Sequence, residues 1–258
     1  MKALQIWHSS MRNQCAICDA GDDEQHVALA HLMKSSAINA RKDPAFVGAV
    51  IVLDFTSFLV SKVSGNVLVA EVVIPSLGRQ ACKVFLFVSE RNEDVFFVHQ
   101  GVEVILSCIA NVIDRVTVFS DGAPQHFRNS SNVIEWGNQK VRFPWLKSIL
   151  LCFFVSNHGS YVCDGIAVVI KKHLKNHVRN TNDILVTIED VVRVLTLKSH
   201  WIVRRVERGH PKIPPPSHRF MGIKDYHCIH VFEHAAYGLP DPRYEARSEA
   251  MGVYNFSE

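Results

Sequence analysis

Three strand-like runs, Val47–Asp54, Asn66–Ile74 and Cys82–Glu90, follow one another without a helical segment between them, and this constrains the fold more than any other feature. Each is rich in Val, Ile or Phe, and Pro75, Gly78 and Arg79 supply a turn between the second and third. The pattern then changes. Apolar residues Val102, Ile105, Ile109, Val112 and Ile113 recur at three- and four-residue spacing and predict a helix over Val98–Ile113. A short strand, Val116–Ser120, a polar stretch with a short helix, a second apolar strand, Ile149–Val155, and a helix from Asp164 to about Val178 complete the series. Hairpin-length strands followed by alternating helices and strands predict an α/β fold with a mixed sheet and helices on its faces. Earlier, the segment from about Glu24 to Lys42 reads as a helix. Four prolines, Pro211 and Pro214–Pro216, end regular structure from Gly209. Beyond them Ile223–Phe232 reads as one more strand, and the last twenty residues read as loosely ordered.

Composition narrows the class without naming a chemistry. The 258 residues carry a net charge of +3 and are 48% hydrophobic, which suits one domain with a sizeable core. The longest apolar runs fall far short of the roughly 20 residues a membrane helix needs, so no membrane partner is expected. No apolar leader opens the chain, which places it inside the cell, and the seven cysteines then read as mostly reduced thiols. The order of elements, three-strand meander first, is shared by ribonuclease-H-like nucleases. The expected division is a Cys/His-containing segment over 1–45, the core over 46–200 and a partly irregular extension over 201–258.

Three aspartates occupy comparable places: Asp54 at the end of Val-Ile-Val-Leu-Asp, Asp121 at the end of Thr-Val-Phe-Ser-Asp-Gly, and Asp164 at the start of a helix. In open α/β sheets ligands sit beyond the carboxyl ends of strands. Carboxylates gathered there suit Mg²⁺ or Mn²⁺, and a pair of such ions is a device for phosphodiester chemistry. Each aspartate also has a plainer reading, as a turn former at Asp54 and Asp121-Gly122 or an N-cap at Asp164. At about 100° per residue, Lys171, Lys172, Lys175 and Arg179 fall within about 80° of Asp164 around the helix, where they could meet phosphates. A solvated charged face is the ordinary alternative. From Lys171 to Arg219 eleven Lys/Arg stand against four Asp/Glu, a local excess that suits nucleic acid. His158, six residues before Asp164, could orient a water or contact a phosphate, or simply hold a loop.

Cys15, Cys18, His26 and His31 have the ligand types for Zn²⁺, as a small degenerate knuckle. Their intervals differ from the usual finger, and unligated cysteines beside an amphipathic helix are the alternative. Cys163 opens a helix, but no Cys/His pairing is legible that would make a thiol enzyme. Phosphate-loop, dinucleotide, zincin and nucleophile-elbow motifs do not occur in the sequence.

The segments Phe119-Ser-Asp-Gly-Ala-Pro-Gln-His-Phe-Arg-Asn129 and Phe154-Val-Ser-Asn-His-Gly-Ser-Tyr-Val-Cys-Asp-Gly-Ile166, followed by Val169-Ile-Lys-Lys172, resemble a eukaryotic transposon-derived family. That family has a ribonuclease-H-like DDE/DDD transposase or integrase core. Leu53-Asp-Phe matches its first acidic strand, the Cys15/Cys18 segment its zinc-binding piece, and Phe220-Met-Gly-Ile-Lys-Asp-Tyr-His227 a downstream segment. The resemblance implies metal-binding roles for Asp54, Asp121 and Asp164, a matching histidine at His158, DNA as partner and a nuclear location, and it is compatible with a homo-oligomer. The chain departs from it at His126, which separates Gln125 from Phe127, at Ser160 in place of lysine, and at Ala167-Val168 in place of glycines. No separate end-recognition domain is visible, which implies a truncated or degenerate copy rather than a complete transposase. Three functions follow as expectations: metal-dependent DNA cleavage and strand transfer, a catalytically silent DNA- or chromatin-binding module, and a small-molecule α/β enzyme using the same crevice.

Overall fold

A computed structural model describes residues 24–78, 81–90, 94–110, 112–155, 161–207, 223, 226–231, 235–240 and 253–255. In chain order the elements are α1 (Glu24–Lys42), β1 (Ala49–Val60), β2 (Val63–Val73), a 3₁₀ turn (Pro75–Leu77), β3 (Cys82–Ser89), α2 (Val95–Ile109) and β4 (Arg115–Ser120). There follow α3 (Ser130–Arg142), β5 (Ser148–Phe153), α4 (Tyr161–Thr181), α5 (Ile188–Thr196), β6 (Trp201–Arg205), β7 (Tyr226–Val231), β8 (Ala235–Pro240) and β9 (Val253–Asn255). The strands form one mixed sheet in the order β6-β3-β2-β1-β4-β5-β7-β8-β9. β1, β2 and β3 make the antiparallel meander, β4 and β5 run parallel to β1, and β6 runs parallel to β3. The α/β class and helix-flanked mixed sheet expected from the sequence are therefore present.

Strand alternation divides the core between the two faces of the sheet. On one face Ile51, Leu53, Leu68, Ala70, Phe85 and Phe87 pack with α2 and α3, through Phe97, Val102, Ile105 and Trp136 among others. On the other, Val50, Val52, Val67, Val69, Leu86 and Val88 pack with α1, α4 and α5. The result is three layers. Gly101 explains how α2 lies so close to the sheet: a Cβ there would stand 2.9 Å from the Phe87 ring and 3.1 Å from Leu68.

Two polar networks hold helices in place. Arg41 at the end of α1 donates to Glu71 of β2 at 2.7 Å, beneath the helix layer. Between α2 and α3, His99 Nε2 donates to Asn132 Oδ1 at 2.8 Å, while Gln139 Nε2 donates to His99 Nδ1 at 3.5 Å and to Glu103 at 3.3 Å. Asn132 Nδ2 in turn donates to the carbonyl of Phe127 at 2.7 Å, which fixes the direction of its amide and the tautomer of His99.

Several expectations need correction. Asp54 does not end its strand. β1 runs on to Val60 and turns through Ser61 (φ 52°) and Lys62 into β2, because Phe58 and Val60 continue the buried alternation. Asp164 does not open its helix: α4 begins at Tyr161, and Asp164 lies in its first turn. The strand expected over Ile223–Phe232 is present as β7, which joins β5, while β8 and β9, which were not foreseen, extend the sheet beyond it. β8 and β9 also give regular structure to part of the last twenty residues. The segment assigned to the extension thus continues the sheet at both edges, through β6 and through β7. One helix, α5, was not foreseen; it starts at a reciprocal capping box between Thr187 and Asp190.

Candidate functional site

The parallel β1–β4 ladder ends with Leu53 opposite Ser120, so Asp54 and Asp121 are the next residues along two adjacent strands. Val52 and Phe119, one pair earlier, belong to the core beneath α1, α4 and α5. Alternation places Asp54 and Asp121 toward that same face. Each carboxylate accepts a nearby backbone N–H: Asp54 Oδ1 from Phe55 at 2.8 Å, and Asp121 Oδ1 from Ala123 at 3.3 Å. The second of these closes the turn that the Asp-Gly dipeptide announces.

The third aspartate is brought to this face by its neighbour. The buried Cys163 thiol donates to the carbonyls of Val52 (3.5 Å) and Val69 (3.7 Å), which sets the first turn of α4 over β1 and β2. Cys163 is thus a packing residue. Asp164, one position on, is largely exposed. Partial burial raises its carboxyl above the usual range, and Lys34 of α1 and Lys171 of α4 pull it back down. Lys34 was not singled out from the sequence. It follows Met33 at the edge of the buried stripe Leu29, Ala30, Met33, Ala37, and only the packing of α1 against α4 gives it an acidic neighbour.

The opposite face behind these aspartates is aromatic. The Phe55 ring lies 4.9 Å from His126, 5.5 Å from Phe97 and 5.7 Å from Phe127. His126, which interrupts the Gln-Phe pair of the resembled motif, is buried there, so the departure is absorbed by packing. The following Arg128 is buried too, donates to the carbonyl of Ile223 at 3.2 Å and lies 5.8 Å from the centre of the Phe153 ring.

The cations expected on α4 are exposed together. Lys171, Lys172, Lys175 and Arg179, with Asn176, line a shallow depression of about 480 Å³. Lys171 and Lys175 also line a second one, of about 380 Å³, whose other wall is Ser57–Val60 of β1. Among the described residues none of these four cations enters a salt bridge.

The fit of a divalent ion can be judged from the carboxylates themselves. Asp54, Asp121 and Asp164 are oxygen donors of the kind Mg²⁺ or Mn²⁺ takes. Yet among the described residues no three or more His, Cys, Asp or Glu side chains are grouped closely enough to hold a metal ion. His158 lies outside the described residues, as do Cys15 and Cys18. His26 and His31 both fall on α1, and the His31 side chain is exposed.

Among the described residues no helix is long and apolar enough to cross a membrane. No curated protein and no solved structure matches the chain. One family model matches residues 72–206, just over half of the chain, from the end of β2 through β6 and including Asp121, Asp164 and the α4 cations. The chain belongs to that family, described as a domain of unknown function, DUF8701.

Proposed function

We propose that the chain is a transposon-derived core of the ribonuclease-H-like type that engages DNA through the exposed face of α4. One observation carries the reading: Lys171, Lys172, Lys175 and Arg179 share one depression without a salt-bridge partner among the described residues, on the helix whose first turn carries Asp164. The strand order β3-β2-β1-β4-β5, a meander joined to parallel strands, supports the ribonuclease-H-like part of the proposal. Cations held on one helix face bind a phosphate backbone chiefly by releasing its counterions.

Binding of a fluorescent DNA duplex at a series of salt concentrations tests this. Changing all four cations to glutamine is expected to weaken binding at least tenfold and to flatten the slope of log K against log salt by about 3. An unchanged slope would remove α4 from the interface.

A second reading, metal-dependent phosphodiester cleavage, is favoured by the register that sets Asp54 beside Asp121 and by α4, which carries Asp164 across the same face. Drawing the three carboxylates onto ions would require them to rearrange. It predicts Mn²⁺- or Mg²⁺-dependent nicking of supercoiled DNA that Asp121→Ala abolishes while binding persists. Binding that is unaffected by metal, with no nicking, leaves the first reading alone.

A further inference from the structure

We propose that Cys152 and Cys228 are a peroxide-responsive thiol pair, whose closure to a disulfide fastens the C-terminal strands to the core. The two residues are direct cross-strand partners at the end of the antiparallel β5–β7 ladder, with their sulfurs 3.5 Å apart. Directly opposed residues in such a ladder hold their Cα atoms about 4.5–5.5 Å apart, within the range a disulfide spans. The sulfurs need to approach by about 1.5 Å, which side-chain rotation supplies.

The two thiols are unequal. Cys152 is 4% exposed, whereas Cys228 is half-buried. The two sulfurs share a hydrogen bond, and this contact together with burial pushes the Cys152 thiol well above its usual range. Cys228 is therefore the sulfur that meets an oxidant first. Its thiolate attacks hydrogen peroxide, taking one oxygen to become a sulfenic acid and releasing hydroxide. The Cys152 sulfur then displaces that oxygen as water, its own proton completing the balance. Overall two thiols are oxidised, one peroxide is reduced, and two waters leave.

The other described cysteines lack this geometry. Cys82 and Cys108 are exposed, and Cys163 is engaged with two carbonyls. The location gives the bond a consequence. β7 is attached to the core by its ladder with β5 and by His227, whose Nδ1 lies 3.2 Å from the carbonyl of Phe153. A disulfide at the ladder's end stops that strand from fraying and closes a long chain loop. This inference is independent of the DNA reading.

The test is treatment of the full chain with hydrogen peroxide, followed by alkylation and non-reducing peptide mapping. The expected product is a Cys152–Cys228 linked peptide pair, two hydrogens lighter than the separate peptides, with the thermal midpoint raised by roughly 5–10 °C. Cys228→Ser is expected to lose both the link and the rise, Cys152→Ala to do the same, and Cys82→Ser to keep both. Free Cys152 and Cys228 thiols after treatment would overturn the proposal. So would Cys228 carried to sulfinic acid while Cys152 stays reduced.

Discussion

Replacing Glu71 with alanine is expected to lower the unfolding free energy by about 3–5 kcal/mol, a large share of what a domain has to lose. Glu71 lies on β2 under the end of α1, with its carboxylate bonded to the Arg41 guanidinium at 2.7 Å. Both side chains are largely withdrawn from water, at 16% and 9% exposure. Removing the carboxylate alone takes this acidic partner from a largely buried guanidinium, with little solvent to take its place. Removing both charges is a different experiment. The double variant Arg41→Met, Glu71→Leu keeps the volume without either desolvation cost, and is expected within about 1–2 kcal/mol of the parent. Urea denaturation of the parent, both single variants and the double variant checks this. A loss below 1 kcal/mol for Glu71→Ala would show that the pair contributes little to holding α1.

Acid is expected to weaken the fold through His99, and the sign follows from its burial. The imidazole is fully enclosed between α2 and α3, and desolvation, opposed by the bond to Asn132, lowers its pKa from 6.5 to about 4. A positively charged Arg142 nearby acts in the same direction as burial. The geometry agrees: Nε2 donates to Asn132 and Nδ1 accepts from Gln139, so an added proton on Nδ1 would face a donor. A pKa lower in the folded than in the unfolded chain gives stability that is complete above about pH 6.5. That stability is lost as pH falls through 4. The loss at pH 4.5 is about 2–3 kcal/mol from this residue, on top of what other groups contribute. His230, lowered by burial and by Lys140, adds to it with the same sign. Urea midpoints at pH 7.5 and pH 4.5 for the parent and His99→Gln measure the effect. The variant starts less stable but is expected to lose about 2–3 kcal/mol less on acidification; equal losses would assign the acid sensitivity elsewhere.

The contrast between these networks and the site shows what a sequence can and cannot carry. Helix α1 was legible end to end, and the three meander strands were legible because β-branched runs and turn residues are local signals. β1 was read too short because Asp54-Phe-Thr-Ser looks like a turn until Phe58 and Val60 are seen to be buried. From the element order the three aspartates stand at comparable places, Asp54 and Asp121 at strand ends and Asp164 at a helix start. Their separation was not legible, since it depends on the β1–β4 register and on the Cys163 contacts with Val52 and Val69, which lie 111 and 94 residues away. Lys34 beside Asp164, Arg41 on Glu71 and Cys152 opposite Cys228 are all pairings between distant segments. No local pattern marks them.

The length of β1 has one more consequence. Its ladder with β4 stops at Leu53, yet the strand continues to Val60 before turning back through β2. This overhang, about 20 Å at the usual rise per residue, stands alongside α4 as a parapet. Ser57–Val60 form its inner wall against Lys171 and Lys175, and the Lys62 backbone N–H braces its tip on the carbonyl of Leu185. Anything laid along the cations of α4 is therefore bounded on one side by a two-stranded rail. Shortening the hairpin would widen that channel without removing a single charge, which separates the shape of the surface from its electrostatics.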